Sequence, residues 1–102
     1  MFQDSEKQLL ALGEFFRIAR KRRGWRQEDV AQRLNLSIDT IKRAEKGVKG
    51  VSIGYVLDLL SLYNRLESFR EMIDPNKDSV GISLEMERLP KRVAGQKYDR
   101  DF

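Results

Sequence analysis

QEDVAQRLNLSIDTIKRAEKG, residues 27–47, holds two short helical patterns on either side of the linker Asn35-Leu36-Ser37. In the first, 27–34, Val30, Ala31 and Leu34 recur at the spacing of one helix face. Ala31 supplies the small residue that two steeply crossing helices need where they touch. Asn35 stands where the chain must turn sharply, and after glycine asparagine best tolerates positive φ. Leu36 points back toward the core. Ser37 caps the next helix, its hydroxyl accepting from a free amide of the first turn. Ile41 and Ala44 are the inner positions of that helix, and Gly47 ends it. Ile38, Asp39, Thr40, Lys42, Arg43 and Lys46 are left to face elsewhere.

The flanks continue the helical reading. Ser5-x-x-Gln8 has the form of a capping box that opens a first helix. Leu9, Leu12, Phe16 and Ala19 then make one apolar stripe, Gly24 stops the helix and Trp25 follows as an apolar plug. Beyond the loop 48–51, Ser52 caps a fourth helix with Ile53, Val56, Leu57, Leu60 and Tyr63 inward. A fifth, near 65–73, carries Leu66, Phe69 and Ile73. Asp74-Pro75-Asn76 breaks the chain. A sixth helix is expected at 79–89, with Ile82, Met86 and Leu89 on one side; Gly81 weakens it and Pro90 stops it. Residues 90–102 are polar and charged, and a disordered tail is expected there. The expected fold is all-α: a five-helix domain over residues 1–74, then an extension over 75–102 with one more helix and a flexible tail.

Composition narrows the function. The chain has 102 residues, 40% hydrophobic and 35% charged, enough for one domain with a core of limited size. It contains no cysteine and no histidine. Disulfides, thiolate metal sites and the commonest general base are thereby excluded, and neither a metal, a cofactor nor an enzyme is expected. No apolar run approaches the roughly 20 residues of a spanning helix, and MFQDSEKQ has no signal-peptide pattern. A cytoplasmic location with no membrane partner is expected. The net charge is +4, and it is unevenly spread: residues 17–26, RIARKRRGWR, hold six basic residues and no acidic one. A cluster of this kind is usually a solvated helix face. Beside two helices joined by a sharp turn it also suits phosphate neutralisation, because such a helix-turn-helix lays its second helix in the major groove of DNA.

The whole pattern resembles the lambda-repressor-like (Cro/C1, XRE) helix-turn-helix family. The matching residues are Leu12-Gly13-Glu14, Ala19-Arg20 and Gly24 through Ala31, then Leu34-Asn35-Leu36-Ser37, Ile41 and Glu45-Lys46-Gly47. The match covers residues 9–63. By this resemblance Gln27 anchors to a DNA phosphate, and Ile38, Asp39 and Arg43, at the first, second and sixth positions of the recognition helix, read bases. Ser37, Thr40, Lys42 and Lys46 lie nearby on the DNA side, and Lys49 with the Gly47–Gly50 amides contacts the phosphate backbone. On chemistry alone Arg43 is the best reader, since its planar fork matches guanine. Asp39 can accept from cytosine, and Ile38 either meets a thymine methyl or packs on the surface. The family also pairs an arginine of the first helix with a glutamate at the end of the recognition helix, which implies an Arg20–Glu45 ion pair. Two departures stand out. Arg26 replaces the usual Ser or Thr cap before Gln27, and Asn35 replaces the turn glycine.

Residues 74–93, DPNKDSVGISLEMERLPKRV, resemble the C-terminal segment of HipB-type antitoxins, which implies a HipA-like kinase toxin as partner. The leading expectation is a sequence-specific DNA-binding transcriptional regulator, an autorepressor acting as a homodimer on double-stranded operator DNA. Its dimer surface is expected at Leu66, Phe69, Met72, Ile82 and Met86. The alternative is a protein-interaction module that neutralises the kinase toxin, with DNA binding secondary.

Overall fold

The computed structural model describes residues 2–90. Every regular element in it is helical: α1 Phe2–Arg22, α2 Gln27–Leu34, α3 Ile38–Lys46, α4 Ile53–Leu62, α5 Leu66–Met72 and α6 Ser79–Arg88, with a 3₁₀ turn Pro75–Lys77 before α6. The chain divides into two compact units, Met1–Phe69 and Arg70–Phe102. The expected tail at 91–102 lies outside the described residues.

Within the first unit, three helices end in the same way. Gly24, Asn35 and Asn64 each adopt positive φ just past a helix. The next residue then donates back across six residues: Trp25 to Arg20 O, Leu36 to Ala31 O and Arg65 to Leu60 O. This is the Schellman closure, which satisfies carbonyls a helix end leaves free. It also swings Trp25 and Leu36 inward against the core. Asn64 has no counterpart in the sequence reading, which marks Gly24, Asn35 and Gly47 as chain reversals.

The core is small. Phe16 and Ala19 of α1, Val30 and Ala31 of α2, Ile41 and Ala44 of α3, and Leu59 with Tyr63 at the end of α4 are buried. Leu12, Phe15, Trp25, Leu34, Leu36 and Val56 pack around them. Phe15, Phe16, Trp25 and Tyr63 form one aromatic cluster with neighbouring centroids 5.8–6.3 Å apart. Arg33 stacks over Trp25 at 4.1 Å, Arg23 over Tyr63 at 5.1 Å and Arg65 over Phe15 at 5.3 Å. Of the basic cluster, Arg23 therefore covers an aromatic face with its guanidinium group.

The crossing of α1 and α3 is closer than side chains allow. A Cβ on Gly13 would lie 2.5 Å from the Glu45 carbonyl oxygen and 2.7 Å from the Gly47 nitrogen. A Cβ on Gly47 would in turn meet the Leu9 carbonyl and lie 2.7 Å from the Leu10 Cα. The two glycines thus face each other and let backbone touch backbone. Gly47, at φ 68, also reverses the chain out of α3.

Several expectations need correction. α1 begins at Phe2, so Ser5 and Gln8 lie inside the helix and cap nothing. The residues around them are good helix formers, and the helix runs through them. In α4, Ile53 is 66% exposed, whereas Leu59, absent from the expected face, is buried. The buried stripe is Val56, Leu59, Leu60 and Tyr63; Ile53 shares its phase but sits in the first turn, beyond the edge of the core. Ile73 lies past the end of α5 and is exposed. In α6, Ile82 and Met86 are exposed and Leu89 is half-buried. Gly81 proves an asset to that helix: the Asp78 carboxylate caps it by accepting from the Gly81 amide, in space a Cβ would occupy.

Two outcomes follow. Gly13→Ala should destabilise by about 2–3 kcal/mol although alanine is the better helix former, because backbone atoms of α3 cannot yield. Gly24→Ala, with open space around it, should cost about 1–2 kcal/mol from its positive φ alone. Urea unfolding of the two variants gives the ranking, and Gly13→Ala as stable as wild type would contradict this packing. Tyr63 sets a pH dependence. Burial, aided by the Glu45 carboxylate, pushes its hydroxyl from 10.0 up to about 12. An unfolded tyrosine ionises near pH 10, so stability should be unaffected below that and fall as pH rises from 10 toward 12. Tyr63→Phe should flatten this fall, as followed by urea midpoints between pH 9 and 11.5.

Candidate nucleic-acid interface

The hydroxyl of Ser37 accepts from the Thr40 amide at 3.1 Å and shares a hydrogen with the Thr40 hydroxyl at 2.8 Å, so the start of α3 is fixed by its own first turn. Ile41 and Ala44 are buried beneath the helix, while Asp39, Lys42, Arg43 and Lys46 are exposed. Ile38 is at the margin of exposure and Thr40 half-buried. Three cations that form no ion pair with any described residue, and one carboxylate, thus stand on the outer side of a helix whose inner side is locked. The Arg43 guanidinium lies beside Gly50, 3.3 Å from where a Cβ would sit there. Lys49 is exposed on the same loop.

Behind the helix, the carboxylate of Glu45 gathers three elements. Arg20 of α1 donates to it through Nε at 2.7 Å and through its terminal nitrogen Nη2 at 3.0 Å, a two-pronged pair. Gln27, the first residue of α2, donates its amide at 3.1 Å. The remaining nitrogen Nη1 of Arg20 reaches the Trp25 carbonyl at 2.9 Å. Side-chain exposure of Arg20 and Glu45 is only 10% and 5%, so both charges are withdrawn from water and each depends on the other. The bidentate bond to Glu45 holds the Arg20 guanidinium above its ordinary pKa. Arg20, although part of the basic cluster, is a bracing residue in this arrangement.

Gln27 is therefore engaged in the free protein. A primary amide carries two N–H donors, and with one given to Glu45 the other stays available. The start of α2 is held differently from the start of α3. Arg26 has no side-chain acceptor and cannot cap. Asp29 instead accepts from the Arg26 amide at 2.7 Å, the reciprocal half of a capping box. That bond, with the Arg26 side chain at 3.5 Å, holds the Asp29 carboxyl below its ordinary value. The sequence signal for this bond is an acid three residues after a residue that cannot cap, a pattern the sequence reading leaves among the surface charges.

The matching family is described as helix-turn-helix domain, and its match runs over residues 11–71. The chain belongs to this family. Its helix-turn-helix domain is of the XRE/Cro-like kind and is a DNA-binding unit. No curated protein and no solved structure matches the chain significantly. In the helix-turn-helix domain, α2 and α3 are the two helices of the motif, and Asn35 makes the turn at φ 55. Among the described residues no helix is long and apolar enough to cross a membrane.

Arg20→Ala should cost about 3–5 kcal/mol, because it leaves the Glu45 carboxylate buried and unpaired. Arg20→Ala with Glu45→Gln should recover part of that loss. Thermal unfolding of the two variants measures it, and an unchanged midpoint for Arg20→Ala would remove the brace from the account.

Proposed function

We propose that this protein is a sequence-specific transcriptional regulator that binds operator DNA as a homodimer and represses its own promoter. The observation that carries the reading is α3: exposed Asp39, Lys42, Arg43 and Lys46 on one side, buried Ile41 and Ala44 on the other, and the Glu45 brace behind. A rigid, cationic helix of this size suits the major groove. Arg43 is the guanine reader, and Asp39 accepts from cytosine. Ile38 meets an apolar base edge, while Thr40, Lys42 and Lys46 line the same groove. Gln27, through its second amide hydrogen, and Lys49 take phosphates. The Ser37–Thr40 hydroxyl pair retains one hydrogen for a further phosphate. A protein with this partner works in the cytoplasm, where the chromosome is.

One recognition helix touches few base pairs, and two copies reading half-sites about 34 Å apart supply the rest. Leu66 and Phe69 of the first unit and Met72, Ile82 and Met86 of the second are offered to the partner copy. All but Phe69 are exposed, at 39–70%. The same apolar exposure on α6, which extends to Val80 and Leu84, favours a second reading. In it the extension holds a HipA-like kinase toxin, and the protein is the antitoxin of the pair. Co-purification with the product of a neighbouring kinase-like gene separates the two readings.

Footprinting on DNA upstream of the protein's own gene, with sedimentation to count the copies bound, tests the leading one. Arg43→Ala should weaken operator binding by about 1–3 kcal/mol and relax preference at one base pair of each half-site. Lys49→Ala should weaken all sequences alike and lower the salt slope by about one per protomer. Binding that shows no sequence preference in the wild type would remove the reader roles.

A further inference from the structure

Between the first half of α1 and the loop that leaves α3 lies a half-open cavity of about 230 Å³. Leu9, Leu12 and Phe16 of α1 wall one side, Val51 and Val56 the other, and Lys49 stands on the loop that edges it. The cavity follows from the glycine contact. Where Gly13 and Gly47 bring the two backbones together, the flanking Leu9 and Leu12 and the loop residues splay apart, and no described side chain fills the gap. Its size is informative: an apolar cavity of about 150 Å³ takes benzene, so this one has room for roughly eight to ten non-hydrogen atoms at interior packing density. Its chemistry is informative too. The walls are aliphatic and aromatic, and the one charged group on them is a cation that makes no ion pair with any described residue.

We propose that this cavity is a binding site for a small amphiphilic carboxylate, its hydrocarbon part between α1 and the Val51–Val56 wall and its carboxylate on Lys49. The apolar part supplies affinity, and the ion pair, exposed as it is, supplies a preference of about two- to fivefold over a neutral analogue of the same shape. The position gives the site a consequence. Lys49 and the Gly47–Gly50 amides belong to the loop assigned to a DNA phosphate, so a carboxylate on Lys49 competes with that phosphate. Ligand and operator are then negatively coupled, each weakening the other by the same factor. This coupling rests on the DNA reading given above, whereas the binding site itself does not.

The test uses the full chain and three probes: hexanoate, hexanamide as its neutral isostere, and acetate as an ionic control. In ¹H–¹⁵N spectra without DNA, hexanoate should shift the amides of Ala44 and 47–51 along a saturable millimolar isotherm. Hexanamide should bind the same site about two- to fivefold more weakly, and acetate should not shift it. Val48→Trp, which fills the cavity from an exposed edge position, should abolish the response, and Lys49→Gln should erase the preference for hexanoate over hexanamide. Shifts that scatter over the surface, or never saturate, overturn the site. Equal binding of hexanoate and hexanamide overturns the carboxylate class. On operator DNA, saturating hexanoate should weaken binding several-fold relative to equal acetate and lower the salt slope by about one per protomer. Site binding without that loss overturns the coupling. A protein that binds hexanoate as stated but no DNA leaves the site standing and refutes the regulator reading instead.

Discussion

The carboxylate of Glu45 is where the helix-turn-helix is held together as a rigid object. Its two oxygens accept from Arg20 on α1 and from Gln27 at the start of α2, and its own backbone belongs to the last turn of α3. Core packing alone sets how far apart these helices lie; it is non-directional and tolerates sliding. A bidentate arginine pair is directional and fixes orientation as well as distance. Arg20 adds a further constraint, since it also ties the Trp25 carbonyl and so the connection between α1 and α2. The outer cations of α3 are thereby presented at a set angle to the amide of Gln27. A reader built on mobile helices would lose affinity to ordering at the moment of binding.

This brace works because of what happens two turns back along α1. Gly13 and Gly47 let α1 and α3 meet backbone to backbone. That approach carries the Arg20 guanidinium, two helical turns further along α1, within reach of Glu45. The same two glycines leave the apolar gap beside the 47–51 loop. Rigidity at one end of the crossing and a fillable hollow at the other are two results of one steric condition. They place a candidate effector site next to the loop assigned to phosphate, joined to it through Lys49.

Much of this was legible in the residues. Val30, Ala31, Leu34, Leu36, Ile41 and Ala44 were read as inner positions from spacing, and all six are buried or half-buried. Asn35 and Ser37 were read as turn and cap from their local chemistry, and both act so. These roles depend only on neighbours within four or five residues, which is the range over which sequence speaks directly. The misreadings have a different origin. Ile53 belongs to the stripe of Val56 and Tyr63 by periodicity, yet periodicity does not say where the core ends. Ser5 has the form of a cap, but α1 runs through it, because the residues before it also favour helix. Asp29 and Asn64 took their roles from bonds to backbone atoms whose need for a partner appears only once the helix ends are drawn.

The sequence by itself determined the helices, the sharp turn between α2 and α3, and which side of α3 is inward, because each follows from local geometry and the segregation of apolar residues. The family resemblance added the Arg20–Glu45 pairing. Only the tertiary structure decided that Gln27 joins that pair, that Gly13 and Gly47 meet face to face, and that a hollow opens beside Lys49. Those features join residues 18 to 47 positions apart, and their energies exist only when the chain has brought the partners into contact.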